Sequence, residues 1–305
     1  MERIEQRDER QESGMSDPQF TSNTPPLFRL AKTMLRRRIK GGGFIMRRLE
    51  KRALKNRIVR YNYAPGYDIY VPIYRREHWD RTDIVAYEEK FLGRLTSTLA
   101  AIGGPFTMAD CGADIGIISV GLAARSKQIE RIIAFEPNDE AFAALEKTFK
   151  GLPVKATAVN EAVSDFVGLG ALATPEYDVS NFARYLVRSQ TGFPVTTIDS
   201  LNLNAQRLVI KIDVEGGEIG VIRGARSSIK GADHCVLTIE AHPRVFDRTG
   251  IDPITVMGEL NSIRPFSFLS SETGKTDFDL ARPFFSQQPK NTAIYNVICV
   301  SSLVH

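Results

Sequence analysis

The chain has 305 residues and a mass of 34.0 kDa, with 43% hydrophobic and 25% charged residues, a balance that excludes collagen, coiled coil and wholly disordered chains. Its longest nearly apolar run, residues 115 to 124, is far short of the ~20 residues of a membrane-spanning helix. The net charge of +4 hides a division, since residues 29 to 60 hold 13 Lys/Arg against one acid, Glu50, while the remainder is mildly acidic.

Residues 1 to 28 are polar, with Pro18, Pro25 and Pro26, and are predicted to be a disordered lead without the apolar centre of a secretory signal. Residues 29 to 60 mix arginines with Leu30, Met34, Leu35, Ile39 and Met46, a pattern that predicts two short basic amphipathic helices around a hinge at Gly41, Gly42 and Gly43. Residues 61 to 100 are read as an N-terminal extension. It starts with an aromatic-rich edge strand or hairpin, because Pro65 and Pro72 argue against a central strand, and continues with a helix over 84 to 99.

From residue 101 onward strands and helices alternate. Strands are predicted at 106 to 111, 131 to 135, 154 to 159, 208 to 212 and 235 to 239, and helices at 117 to 125, 140 to 149, 218 to 229 and 254 to 263. Residues 160 to 200 are an irregular excursion with short strands near 167 to 172 and 195 to 198; two last strands lie at 266 to 269 and 293 to 300. Near-continuous Val/Ile/Leu strands between helices predict a doubly wound α/β sheet covered on both faces, with ligands beyond the carboxyl ends of its strands. Cys111, Cys235 and Cys299 are scattered and flanked by apolar residues, which reads as buried thiols in a reducing cytoplasm.

The first core strand runs through Asp110-Cys111-Gly112-Ala113-Asp114-Ile115-Gly116 into a helix, a nucleotide-binding turn in kind. The second ends in Phe135-Glu136-Pro137-Asn138, placing an acid where such folds bind a ribose diol. Asp114 occupies the place of the middle glycine of a dinucleotide loop, and a carboxylate there repels phosphate. S-adenosylmethionine (SAM) has no phosphate and is cationic, so Asp110 and Asp114 favour it, while the amides that open the helix can take its carboxylate. Helix capping is the competing reading for both aspartates.

The fourth core strand, Leu208 to Glu218 in LVIKIDVEGGE, delivers Lys211, Asp213, Glu215 and Glu218 at the end of a buried strand, which is costly without a task. Glu218 also fits a role at the following helix's positive end. The next strand ends in Ile239-Glu240-Ala241-His242-Pro243 at the same edge. Asp213, Glu215, Glu240 and His242 are read as a general base, a divalent-cation site, or both, with a structural role for His242 as the plain alternative.

These segments, DCGADIG, IIAFEPN, NEAVSD, VTTIDSL, IKIDVEGGE and IEAHP, closely resemble the FkbM family of SAM-dependent methyltransferases from about Tyr87-Glu88 to His242. The resemblance implies the class I (Rossmann-like) methyltransferase fold, a seven-stranded, mostly parallel sheet with helices on both faces and a last antiparallel strand, over residues 101 to 305. It also implies methyl transfer to a hydroxyl oxygen, often of a sugar or polyketide. By position, Asp110, Gly112 and Gly116 look like the cofactor loop, Glu136 the ribose ligand, and Ala162, Val163 and Asp165 the adenine side; Ala113, Asp114 and Asn138 in the same segments are read as cofactor-binding with them. Asp213 is similar to the acid beside the transferred methyl; the residues themselves are read as giving Asp213 or His242 the base role, with Glu215 and Glu240 orienting the acceptor or a divalent ion. Asp114 departs from the Asn more usual in the family.

The basic arm lies outside the resemblance. Peripheral contact with an anionic membrane and a solvated linker are both compatible with it. Nucleic-acid methylation is the first rival to a small-molecule or glycan acceptor, but no Asn/Asp-Pro-Pro-aromatic signature of base amino methyltransferases is present. The second rival is a non-catalytic SAM-binding module.

Overall fold

Three short strands, β1 (Gln19–Thr21), β2 (Arg57–Ala64) and β3 (Tyr67–Pro72), precede the core of the computed structural model, which describes residues 19–21, 30, 33–34, 37, 39–48, 57–72, 84–173 and 185–301. Helix α1 (Gly42–Arg48) lies between β1 and β2. The core opens with α2 (Glu89–Ile102), β4 (Phe106–Cys111), α3 (Ile117–Arg125), β5 (Ile129–Phe135), α4 (Asp139–Lys150) and β6 (Lys155–Val159). An excursion follows through β7 (Ala162–Val163), β8 (Gly168–Ala173), β9 (Tyr185–Arg188) and β10 (Phe193–Thr196). The chain returns as β11 (Arg207–Ile212), α5 (Glu218–Gly224), α6 (Arg226–Gly231), β12 (His234–Ala241), α7 (Pro243–Thr249), α8 (Pro253–Ile263), β13 (Phe266–Ser270) and β14 (Tyr295–Ser301).

The central sheet has the order β13-β14-β12-β11-β4-β5-β6. Neighbours from β12 to β6 are parallel, and β14 runs antiparallel between β12 and β13. Period-two alternation divides the strand residues between two cores. Met108, Val209, Val236 and Ile298 pack with Phe91, Leu92, Leu95 and Leu99 of α2, while Ile210, Leu237 and Cys299 pack with Val221, Ile229 and Met257 on the opposite face. Each fully buried large apolar side chain contributes about 1.5–3 kcal/mol relative to exposure. Chain order reverses between β4 and β11, which opens a crevice at their carboxyl ends.

Several sequence expectations change. The division at residue 60 cuts through β2, and part of the supposedly disordered lead, Gln19–Thr21, pairs in parallel with Arg57 to Val59. Gly42 and Gly43 are not a hinge but the start of α1; most of the arm otherwise lies outside the described residues. β2 and β3 form a hairpin about Pro65 and Gly66, the latter at φ +80°, the pairing of residues that a type II turn requires. The hairpin is no separate extension. Tyr67 Oη donates to the Ala123 carbonyl at 3.1 Å, the Tyr70 amide donates to Thr148 Oγ1 at 3.0 Å, and Arg125 covers the Tyr63 ring, so β3 is fastened to α3 and α4.

The excursion is more regular than its sequence suggests, forming a second sheet of order β7-β10-β8-β9. The helix expected over 218 to 229 is broken at Ala225 into α5 and α6, and α7 was not anticipated at all.

Candidate active site

The loop from β4 to α3 is built on backbone conformations that only certain residues accept. Gly112 lies at φ +76° and Gly116 at φ +83°. A Cβ on Gly112 would fall 1.9 Å from the Asp213 carbonyl oxygen, so glycine is what lets β4 and β11 end side by side. A Cβ on Gly116 would meet Leu145 and Phe149 of α4 at 2.7 and 3.0 Å. Asp114, between them, also has positive φ (+51°), a conformation Asp tolerates better than most non-glycine residues.

Glu136, at the end of β5, is buried and ties this loop down. Its Oε2 accepts from the Asp114 amide and its Oε1 from the Asn138 amide, each at 2.9 Å. A carboxylate accepts at both oxygens, a geometry that suits the two hydroxyls of a diol. The Gly112 and Ala113 amides donate to the Phe135 carbonyl at 3.1 and 2.9 Å. α3 opens at Gly116 without a side-chain cap, which leaves its first-turn amides as the anion-facing donors. Asn138 accepts from the Ala141 amide at 3.0 Å and caps α4, so its side-chain oxygen serves the helix rather than a ligand. Asn160 donates to the Glu136 carbonyl at 3.0 Å, bringing the segment before Ala162 beside Glu136. Ala162 is buried in β7; Asp165 is exposed, 3.9 Å from Arg188.

Asp110 has no exposed surface. Its Oδ2 accepts from Ser119 Oγ at 2.7 Å and its Oδ1 lies 3.2 Å from Lys211 Nζ. The expectation that Asp110 faces a cofactor therefore gives way to a positioning role behind the loop. Lys211 Nζ also donates to the Gly112 carbonyl at 2.7 Å and lies 3.3 Å from Asp213 Oδ2. Burial draws the Lys211 pKa down, but Asp110 and Asp213 more than offset it and leave it raised. One buried ammonium thus joins the glycine loop to the acid at the end of β11.

Asp213 is the open end of that chain, with 37% of its side chain exposed. Glu215, at φ +57°, lies 3.4 Å from Arg248, which also donates to the Glu215 carbonyl. Burial, and then the charge of Asp213, push the Glu215 carboxyl up to about 7. Burial, Asp213 and Glu215 push Glu240 up to about 8. Glu218 is buried and accepts from the Gly216 amide at 2.8 Å, closing the turn into α5.

Two expectations for this edge are corrected. His242 is the N-cap of α7, its Nδ1 accepting from the Arg244 amide at 3.0 Å, and burial followed by the Arg244 charge lowers its pKa. Its unprotonated nitrogen is occupied and its Nε2 carries the proton, so the ring offers a donor there and not a base. Asp213, Glu215 and Glu240 do not form a cation site, because among the described residues no three His, Cys, Asp or Glu side chains gather as metal ligands. Asp213 lies against Lys211 instead, and Glu215 against Arg248.

Sequence reasoning missed the far wall of the cleft, where Tyr87, Glu88, Thr238 and Asn296 stand with Asp213 and Glu240. Thr238 and Asn296 had a readable signal, since a polar residue two places before Glu240, and one paired with it in β14, share its face. Glu88 had none, because it lies in the turn that opens α2.

An open sheet of this order, with a glycine loop, an acid ending the next strand and a second acid at the switch point, defines a class I SAM-dependent methyltransferase. The chain belongs to the FkbM methyltransferase family: the Methyltransferase FkbM domain matches residues 110–284, more than half of it. SAM is accordingly the cofactor, and the glycine loop, the Glu136 carboxylate at the end of β5 and the uncapped start of α3 fit it. No curated protein matches the chain. Among solved structures, the chain is similar to Methyltransferase FkbM from Methylobacillus flagellatus KT, at 20% identity and a TM-score of 0.42, over 64% of this chain and 43% of that one. The chain thus spans less than half of that relative. It is also similar to a putative rRNA-methylase from Clostridium thermocellum (11% identity, TM-score 0.41, 70% and 96% of the two chains). A third is the plantazolicin methyltransferase BpumL in complex with SAH (11% identity, TM-score 0.36, 85% and 98%).

Proposed function

We propose that this enzyme methylates a hydroxyl oxygen of a sugar, glycan or similar small molecule, with Asp213 as the base that takes the hydroxyl proton. The observation that carries the proposal is a part-exposed carboxylate at the switch point, touching the glycine loop through Lys211. Gly112, Ala113, Asp114 and Gly116 wall the cofactor pocket, Glu136 takes the ribose hydroxyls, and Ala162 with Asp165 borders the adenine. SAM, when bound, supplies a methyl group activated by its sulfonium.

The protein's own work is placement and proton removal. Acceleration of an in-line displacement comes largely from holding the acceptor oxygen in a near-attack position. A sugar hydroxyl is a poor nucleophile near neutral pH, and a positioned base contributes about 10²-fold or more. Lys211 holds Asp213 Oδ2 on one side and so orients its carboxylate toward the cleft. Glu215, with its carboxyl near 7, is a second proton acceptor within the same electrostatic neighbourhood.

Incubation with methyl-labelled SAM and fractionated cell extract, followed by mass spectrometry, should find the label as a methyl ether. Label on an amine or a nucleobase would overturn the hydroxyl reading. Asp213→Asn should lower kcat about 100-fold with SAM affinity unchanged by calorimetry; an unaltered kcat removes Asp213 from the base role.

We also infer that the arm before β2 rests on anionic membrane. Among its described residues Leu30, Ile39, Phe44 and Ile45 are exposed, in a stretch dense in Lys and Arg. Each such cation near an anionic leaflet contributes about 1 kcal/mol. Among the described residues no helix is long and apolar enough to cross a membrane, so the contact is peripheral. The full-length Phe44→Asp, Ile45→Asp double variant should pellet less with phosphatidylserine vesicles than the unmodified protein, and equal pelleting refutes the inference.

A further inference from the structure

On the face of the sheet covered by α2, the strands carry apolar residues until their carboxyl ends and then change character. Met108, Val209, Val236 and Ile298 belong to the core there. Two residues further along β4, β11 and β12, the same face carries Asp110, Lys211 and Thr238, which stand in register. The next polar row on that face is Asp213 with Glu240 and Asn296, the latter two paired across β12 and β14. The two rows cut a polar recess into the apolar layer, closed from above by Tyr87 and Glu88.

Two observations mark this recess as built for a ligand. Thr238 is only 2% exposed, lines the recess, and its Oγ1 has no hydrogen-bond partner among the described residues, an arrangement seldom left standing in a protein interior. Glu88 is independent of it. It occupies the N-cap position of α2 in the left-handed region, φ +53°, yet its carboxylate makes no cap bond. That carboxylate instead accepts from Asn296 Nδ2 at 3.0 Å, and Asn296 is itself held by Glu272 through its amide and its side chain, at 2.9 and 3.2 Å. Backbone strain maintained by such a network points to a function for the strained residue.

The chemistry of the recess selects its occupant. A threonine hydroxyl donates and accepts, and so does a carboxyl that keeps its proton near neutral pH, as Glu240 does under the influence of burial and Asp213. Lys211 and Asn296 already answer the carboxylates with donors, so the unmet requirement is a small neutral group able to both give and take a hydrogen bond.

We propose that Thr238, Glu240 and Glu88 form a second acceptor subsite that grips a hydroxyl neighbouring the one methylated, making the substrate a polyol with closely spaced hydroxyls. This rests on the hydroxyl-methylation reading above, with Asp213 between the subsite and the glycine loop.

Calorimetry on the full-length protein saturated with SAH, titrated with the methyl glycosides of glucose, mannose, galactose and rhamnose and with cyclohexanol, tests it. At least one glycoside should bind at least 10-fold more tightly than cyclohexanol. Thr238→Val and Glu88→Gln should each weaken that glycoside about 10-fold, the effect of one lost hydrogen-bonding group, with SAH affinity unchanged. Thr238→Ser should retain it, and Thr238→Val should keep or raise the Tm, since it removes an unpartnered hydroxyl. Unchanged glycoside binding in Thr238→Val, cyclohexanol bound as tightly as the glycosides, or no glycoside bound by the unmodified protein overturns the subsite. Methyl transfer from labelled SAM, followed in parallel, separates the two readings. A glycoside held through Thr238 but never methylated defeats the reaction, whereas one methylated equally well by Thr238→Val defeats the subsite alone.

Discussion

Gly112→Ala should lower the Tm by about 3–10 °C and methyl transfer about 100-fold. The substitution puts an L side chain at φ +76°, which costs roughly 1–2 kcal/mol. Its Cβ would also stand 1.9 Å from the carbonyl oxygen of Asp213 and 2.9 Å from the carbonyl carbon. Backbone cannot swing aside as a flexible side chain can, so β4 and β11 must part at the switch point, an overpacking cost of about 1–3 kcal/mol. At this chain length each kcal/mol moves the Tm by about 1.5–2 °C. Separation of the strands displaces Asp213 from the loop, and a misplacement of about 1 Å costs about 10²-fold in rate. Gly151→Ala is the control, because its Cβ would meet nothing within 4 Å and its φ is −103°. Differential scanning fluorimetry and a labelled-SAM assay read both effects, and a Gly112→Ala protein equal to the Gly151→Ala control would show that the two strand ends do not touch.

Lys211→Met should destabilise the fold by about 3–5 kcal/mol, the range for stripping one partner from a buried ion pair. Asp110 would keep Ser119 but lose the only cation within 4 Å of it among the described residues, with no surface through which water could reach its carboxylate. The Asp110→Asn, Lys211→Met double variant should recover most of the loss, because the acid it leaves without Lys211, Asp213, is part-exposed and solvated while the fully buried charge is gone. The native contribution is level through neutral pH. The folded pKa of Lys211 is raised above its ordinary 10.5, so the stabilisation is fully present below that value and lost only as pH rises through the folded one. Urea unfolding of the three proteins at pH 7 gives the comparison; a double variant no more stable than Lys211→Met would show that the pair is not what the single substitution breaks.

How much of this was readable from sequence depended on distance along the chain. The loop at Gly112 to Gly116 and the acid at Glu136 were legible because a strand, a turn and a helix follow one another within a few residues and each leaves its own periodicity. Asp110 was misjudged for a reason local pattern cannot supply: its partner Lys211 is set by the register of β4 against β11, a hundred residues apart. His242 followed by Pro243 carried a readable helix start, with a cap-competent ring before proline at the first helical position, but its place beside Asp213 in an acidic edge drew the reading toward catalysis. The break at Ala225 is tertiary in origin. Gly224 passes so close to the Ser164 backbone that a Cβ would fall 2.0 Å from its carbonyl oxygen, and α5 ends there. The contact between Glu88 and Asn296 was beyond reach because it spans 208 residues.

The antiparallel strand β14 bears on the order in which this molecule can be made. It occupies the place between β12 and β13 and is translated after every other described strand of the sheet, so until residues 295 to 301 emerge β12 has an open edge. That edge is apolar from Cys235 to Leu237 and buried in the finished sheet, the kind of surface on which a nascent chain pairs with a stranger. Asn296 comes with the same strand, and Glu88, translated long before, has no Asn296 to hold it until then. Closure of the sheet and completion of the cleft are one late event, and a translating ribosome carries a nearly finished sheet whose site is still open.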